Sequence, residues 1–404
     1  MMNRACITIN FFPIAGGARS IAYEVWRALR TDSEVHFLTI PPHTYSKQYI
    51  IHALQKSRRH YLPFNPGLFP FCIGYTIWGS LNLLYLNKQY QFSIILAQDG
   101  VFTGLYSVIV GKLIGTKVVV MDYGATTNFL SDEYWNFKNV LRGARHTIVD
   151  LHTLLLRATA RIAIKKTAKW ADRLGVLGYE LEKIYGGMTI PKAKIRTIQY
   201  GVDENFYKPD ADKKNLGRKR LGLSDEDIVV NATCRLSQEK GIEYLLPAMK
   251  QSVEKNNRVV CLLVGAGNMF NYAAGLVKQN RLENRIRLMG EATPEQVREL
   301  LQISDIFVYA GVSGSNISLA VLEAMATGLA AVATDSPKSH VDLLANNRGI
   351  AVPTKDTTAL TQAIITLAEN EKGRKEIAEN GRKWVLAHNA SEATKKSIEV
   401  LVRT

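Results

Sequence analysis

Short apolar runs of strand length alternate with helix-length segments from one end of this chain to the other. In the first half "ACITIN", "EVHFLTI", "FSIILA" and "KVVVMD" read as strands, with helices near Arg19–Arg30 and Gly104–Leu113. In the second half "DIVVNAT", "RVVCLLVGAG", "RIRLMG", "DIFVYA", "LAAVATD" and "GIAV" restart the pattern, with helices after most of them. Runs this uniformly apolar need cover on both faces, which helix crossovers over a parallel sheet provide. Between Gly186 and Asp227 the character changes to Gly, Pro, Lys and Asp without long periodic elements, and this is the expected junction. The fold class is therefore α/β, with two doubly wound parallel-sheet domains facing across a cleft. The expected domains are 1–196 and 197–404, the last helix packing back on the first. Ligands of such sheets bind outside the carboxyl ends of the strands.

At 404 residues the chain is long for one core, so two domains also suit its size. The opening "MMNRACITINFFP" reads as a strand and turn, not a secretory signal, and the expected location is the cytoplasm, with peripheral binding to the membrane's cytoplasmic face. Cys6, Cys72, Cys234 and Cys261 are scattered and read as reduced core cysteines. The net charge of +15 is lopsided, with 24 Lys and Arg against 11 Asp and Glu over 1–200, but 27 against 25 over 201–404. A basic first half suggests anionic partners, and with no zinc finger, basic zipper or ribonucleoprotein signature nucleic acid is not expected. The excess concentrates in 142–170, where Arg157, Arg161, Lys165 and Lys169 recur every fourth residue. Leu151, Leu155, Ala158 and Ile162 supply an apolar face, so the segment reads as an amphipathic helix for an anionic membrane surface or as a solvated helix face. Tyr61–Asn87 has no charged side chain, but Pro and Gly interrupt it, and its helix from Phe71 is too short to span a bilayer and reads as buried or interfacial.

Several loops bear chemistry. In "NATCRLSQEKGIEYLLPAM" a strand ends near Thr233 and a helix begins near Gly241, with Arg235 and Lys240 between them. Two cations at a strand's carboxyl end beside a helix start suit a diphosphate. Gly16 and Gly17, after the first strand, let backbone N–H groups approach a phosphate or sugar, and Gly265 in "VGAGNMF" sits in a similar turn. Neither stretch completes G-x-G-x-x-G, and tight strand-to-helix turns explain both equally. Between strand "DIFVYA" and helix "SLAVLEAMA" lies a polar, glycine-bearing loop, Gly314 to Ser318, whose N–H groups face an anion. Glu323, one turn into that helix, suits a vicinal diol such as ribose. "SDED" at 224–227 reads as solvated loop acid, and no metal site is expected.

Taken together these stretches resemble the GT-B-fold glycosyltransferases, specifically family 4, retaining enzymes that use nucleotide sugars. "CRLSQEKGIEYLLPAM" resembles that family's Arg-to-Lys diphosphate segment, "LEAMATG" its E-A-x-A-x-G run, and "QYGVDENFYKP" its N-G-V-D-x-x-x-F segment, with Tyr200 where Asn is usual. The resemblance is dense over 195–390 and thinner before it, where "GGARSIAYEVWRAL" matches best. It implies two Rossmann-like domains, a donor diphosphate on Arg235 and Lys240, ribose on Glu323, Gly16 and Gly17 near the donor, and base contacts around Met289 and Gly290. Ser315, Asn316, Ile317, Ser318 and Leu319 stand where the family has E-G-F-G-L, so the sugar-contacting Glu is here Ser315 and brings no charge. The family's first-lobe His is also missing. The strand ends "VVVMDYGATTNF", and Asp122 or Tyr123 occupies that corner as the acceptor-orienting group. The implied reaction is metal-independent transfer, without cofactor, from a UDP-, GDP- or ADP-sugar to an anionic, lipid-linked or saccharide acceptor, with retention of configuration. The alternatives are a catalytically silent nucleotide-sugar-binding subunit and a GT-B epimerase or phosphorylase.

Overall fold

The computed structural model describes residues 3–9, 25–26, 29–30, 33–39, 58–61, 73–124, 146–199, 201–313, 316–389 and 391–403. Gly16, Gly17, Cys72, Tyr200, Gly314 and Ser315 lie outside the described residues, as does most of the helix expected over Arg19–Arg30. The chain divides into two compact units. One runs to Gln199 and also holds Thr394–Thr404, and the other covers Tyr200–Ala393.

The first unit is built on seven strands, β1 (Asn3–Ile9), β2 (Ser33–Thr39), β3 (Arg58–Tyr61), β4 (Ile94–Ala97), β5 (Lys117–Asp122), β6 (Arg173–Leu177) and β7 (Ile195–Ile198). Their order is β3-β2-β1-β4-β5-β6-β7, all parallel. Chain direction across the sheet reverses between β1 and β4. Helices α1 (Ile73–Tyr90), α2 (Thr103–Ile114) and α3 (His146–Trp170) pack one on the next. On α1, Leu83 and Leu86 are buried while Ile77, Trp78, Leu81 and Tyr85 are exposed. The terminal helix, Ser391–Arg403, joins this unit through Leu401, which packs over Gly175, and through Val402, whose carbonyl accepts from Lys117 Nζ at 3.0 Å.

The side chains of Leu151, Leu155 and Arg157 lie outside the described ones, and over 158–170 the packing face of α3 differs from the one expected. Arg161, Lys165 and Lys169 are exposed, as their spacing suggests, but so are Ala158 and Ile162. The inward residues are Ala160, Ala163, Ile164, Thr167 and Ala168. The reason is close approach: a Cβ on Gly104 of α2 would collide with the Thr167 methyl, and a seam this tight selects small residues over large apolar ones.

The second unit carries six parallel strands, β8 (Ile228–Thr233), β9 (Val259–Val264), β10 (Ile286–Gly290), β11 (Ile306–Tyr309), β12 (Ala330–Thr334) and β13 (Ile350–Val352), in the order β10-β9-β8-β11-β12-β13. Every residue of β9 is buried, and free Cys261 is one of them. The reversal falls between β8 and β11, which makes their carboxyl ends the place for a ligand.

The junction is more ordered than its composition suggests. Within Gly186–Asp227 lie β7 and the helix α4 (Ala211–Arg220). No apolar stripe marks α4. Asp210 caps it by accepting from Lys213 N, and two of its cations grip Asp305: Lys214 Nζ at 2.8 Å and the buried Arg218 at 2.5 Å. Asp305 also accepts from Val229 N at 2.8 Å. Burial would raise this acid, but Lys214 and Arg218 outweigh burial and hold it below the ordinary carboxylate range.

Candidate functional site

The turn after β8 meets the end of β11. Gln238–Lys240 form a single 3-10 turn, and Gly241 follows with φ +67° before α5 (Ile242–Lys255) begins. Gly241 is required here, because a Cβ would drive into the carbonyl of Ala310. The same approach lets Val312 N donate to the Glu239 carbonyl at 3.0 Å. Lys240 is thereby delivered to Tyr309: its Nζ lies 3.4 Å from the phenol oxygen and 5.6 Å from the ring centroid. A half-buried ammonium on an aromatic face at the reversal point is a fixed, partly desolvated cation.

Helix α6 (Leu319–Ala326) starts beside this cation, and its entry is held by a residue that sequence reasoning missed. His340 is fully buried, with Nδ1 3.0 Å from the Thr334 carbonyl and Nε2 3.0 Å from Ser318 N. One acceptor and one donor fix the tautomer: Nδ1–H donates, and Nε2 accepts from Ser318. The ring packs edge-on to Tyr309 at 5.2 Å. Burial, with the Lys240 charge adding to it, pushes the His340 pKa down to about 4 against the opposing bond to Thr334, so the ring is neutral. This corrects one expectation: the Ser318 amide is spent on His340 and not offered to a phosphate. First-turn amides of a helix have no intrahelical partner, which leaves Leu319 and Ala320 to present N–H groups to an anion.

Glu323 sits half-buried one turn further along α6, beside buried Leu322, Ala324 and Met325. Burial raises its pKa to about 7, opposed by a hydrogen bond from Tyr207. Tyr207 is placed by Asp203, whose side chain accepts from Asn205 N and Phe206 N while its carbonyl accepts from Tyr207 N. The G-V-D-x-x-x-F segment thus serves as a turn that carries a phenol to the acid of α6. Its last aromatic pair gave no signal for that role.

Arg235 does not join Lys240. Its side chain is 68% exposed and bonded to Glu239 Oε1 at 2.6 Å, a surface pair within the loop that leaves β8. Gly265 proves to be a packing glycine: at φ +137° its Cα faces the Cys234 carbonyl, where a Cβ would clash. Gly265 N donates to the Gly290 carbonyl at 2.7 Å, which links the ends of β8, β9 and β10. Met289 is half-buried against the apolar cluster that contains Val229, Val260 and Leu262. Asn316 and Ile317 are half-buried.

In the first unit, the carboxyl edge around β4 and β5 is polar and tightly bonded. Asp122 is buried and accepts from Tyr185 OH at 2.6 Å and Gly124 N at 3.0 Å. Tyr123 OH donates to Gln98 Oε1 at 2.6 Å, and burial raises this phenol well above its ordinary range. Asp99 accepts from Val101 N at 2.9 Å and Thr103 Oγ1 at 2.8 Å, closing the turn into α2. Asp122 is thus committed to structure, while half-buried Tyr123 pairs with buried Gln98 at this corner. Among the described residues no three His, Cys, Asp or Glu side chains converge as a metal site, and no helix is long and apolar enough to cross a membrane.

Two parallel-sheet units of this topology define the GT-B fold. The solved structure of Anabaena Alr3699/HepE in complex with UDP and glucose superposes with a TM-score of 0.79 at 15% identity, covering all of both chains. Residues 213–384, which contain Lys240, Tyr309, Glu323 and His340, match the family described as "Glycosyl transferases group 1". The chain is 23% identical over 254 residues to the GDP-mannose-dependent alpha-(1-6)-phosphatidylinositol monomannoside mannosyltransferase of Mycolicibacterium smegmatis, covering 60% of this chain and 66% of that protein. It is 22% identical over 406 residues to the N-acetyl-alpha-D-glucosaminyl L-malate synthase of Bacillus anthracis, covering 98% of this chain and 96% of that protein. Across four of the curated relatives it spans between 46% and 66% of their length.

Proposed function

We propose that the protein transfers a glycosyl group from a nucleotide sugar to an acceptor with retention of configuration and without a metal. The observation that carries this reading is Lys240, fixed on Tyr309 where β8 and β11 diverge, next to the amino end of α6. As the bond between sugar and diphosphate stretches, negative charge grows on the leaving phosphate. Lys240 and the amides of Leu319 and Ala320 meet that charge without reorganising. Arg235 is exposed, so it exchanges a surface pair, a weak interaction, for the diphosphate when the donor binds. Glu323, once ionised, accepts from the ribose hydroxyls. The ends of β9 and β10 at Gly265, Met289 and Gly290 offer backbone to the base. In the first unit, Tyr123 with Gln98 orients the acceptor hydroxyl, while Asp122 holds the corner.

The acceptor on this reading is anionic or lipid-linked, since the first 200 residues carry 24 basic against 11 acidic side chains. Exposed Ile77, Trp78, Leu81 and Tyr85 on α1, and Arg161, Ile162, Lys165 and Lys169 on α3, suit peripheral contact with an anionic membrane. The M. smegmatis relative is named for a phosphatidylinositol-based acceptor, which favours the lipid-linked class. Flotation with anionic and neutral vesicles tests the surface, and equal binding to both, or to neither, removes it.

One observation favours a second reading, a nucleotide-sugar-binding subunit without turnover: Arg235 is paired and the Ser318 amide is occupied. A thermal-shift panel of UDP-, GDP- and ADP-sugars identifies the donor, since a ligand at a hundredfold excess over its dissociation constant stabilises by ~2.7 kcal/mol. Hydrolysis or transfer of that donor, lost in Lys240→Ala, supports the enzyme. A stabilising donor that the protein never turns over supports the subunit.

A further inference from the structure

The amino-terminal edge of the first sheet, opposite the edge that holds Gln98 and Tyr123, contains a hollow of about 740 Å³. The last turn of α2, the entries to β5 and β6, Trp170 at the end of α3 and Lys194 before β7 enclose it. Four cations line it, Lys112, Lys117, Arg173 and Lys194, against one carboxylate, Asp172. Asp172 is already engaged, accepting from Val118 N at 2.7 Å.

Part of this charge has a structural duty. Lys194 Nζ donates to the carbonyls of Lys169 at 3.1 Å and Ala171 at 2.8 Å, Arg173 to Ala193 at 2.8 Å, and Lys117 to Val402 at 3.0 Å. Those carbonyls anchor the side chains without adding a formal charge, and the Lys117 and Lys194 ammonium groups keep further donors. The carboxyl ends of α2 and α3 bring roughly half a negative charge each. Set against Asp172, the three lysines alone keep the hollow positive. Lys112 is exposed at the rim, and half-buried Trp170 gives an apolar wall. The hollow is open to solvent on one side and is wider than a lone phosphate.

We propose that this hollow is a second anion site, distinct from the donor site, which takes a phosphorylated polyol ring, a sugar or a cyclitol: the phosphate among the cations and the ring along Trp170. The phosphorylated ring is either free or the headgroup of a lipid. This assignment stands on the first unit alone and does not depend on the transferase reading.

The test uses the full chain carrying Lys240→Ala, which removes the main cation of the donor site. One arm titrates fructose 1,6-bisphosphate by calorimetry at about 0.15 M salt, where screening leaves only close contacts. The other arm sediments the protein with phosphatidylinositol vesicles and with phosphatidylcholine vesicles. Binding in either arm, weakened about tenfold by Lys112→Glu and by Trp170→Leu but not by Lys183→Glu, a lysine of the same unit that does not line the hollow, supports the site and identifies its source. Arg173→Gln, with melting followed as a check on the fold, gives a second reading of the same contact. The proposal is overturned if neither arm shows binding, if phosphatidylcholine binds as well as phosphatidylinositol, or if binding survives both Lys112→Glu and Arg173→Gln.

Discussion

Acidification probes the His340 lock directly. In the folded protein the ring donates to Thr334 and accepts from Ser318, so a second ring proton would confront the Ser318 N–H. The groups facing the ring, Tyr309 and the Lys240 ammonium, offer it no carboxylate. Burial and Lys240 together take its pKa from 6.5 to about 4. Between those values the unfolded chain holds a proton that the folded chain lacks, so stability is complete above the unfolded value and falls as pH drops toward the folded one. At ~1.36 kcal/mol per pH unit, the fall is worth about 3 kcal/mol. Urea unfolding of the wild type and of His340→Gln, at several pH values from 7.5 to 4, isolates this contribution, because glutamine has both a donor and an acceptor but does not titrate. The expected result is that the wild type loses about 3 kcal/mol more than the variant across the range. Parallel losses in the two proteins would refute the reasoning.

Lys240→Ala should lower turnover by ~10²–10³ with the melting temperature little changed, the usual loss of one preorganised charge donor. Arg235→Ala should also impair turnover, whereas Glu239→Gln, which frees Arg235, should not, and steady-state kinetics on the identified donor separates them. Glu323 is neutral below about 7, so donor affinity should rise as pH passes through that value, and calorimetry with Glu323→Gln should show the rise abolished. Arg218→Ala strips a buried partner from Asp305 and should cost ~3–5 kcal/mol of stability in chemical unfolding, far more than an exposed ion pair of the Arg235 kind.

Strands that are apolar along their whole length, such as β9, were readable because burial on both faces leaves no other composition. The same logic failed for α4, whose cap and ion pairs replace an apolar stripe, and for α3, where a tight seam against Gly104 turned Thr167 inward and left Ile162 exposed. In the second unit, the positions of Lys240 and Glu323, at a strand's end and one turn into a helix, were legible in local motifs. The partners that define their chemistry were not. Tyr309 stands 69 residues from Lys240, Tyr207 116 from Glu323 and His340 22 from the Ser318 amide, and no local pattern links them.

Residue order along the chain settles which segments become strands and helices and which loops follow a strand's carboxyl end, because those outcomes depend on neighbours a few positions away. Whether a cation is held on a ring, an amide is spent on a histidine or an acid stays protonated near neutrality depends on groups brought together by the sheet order β8-β11-β12. Only the folded chain sets those distances, and with them the local dielectric and the hydrogen bonds that decide charge.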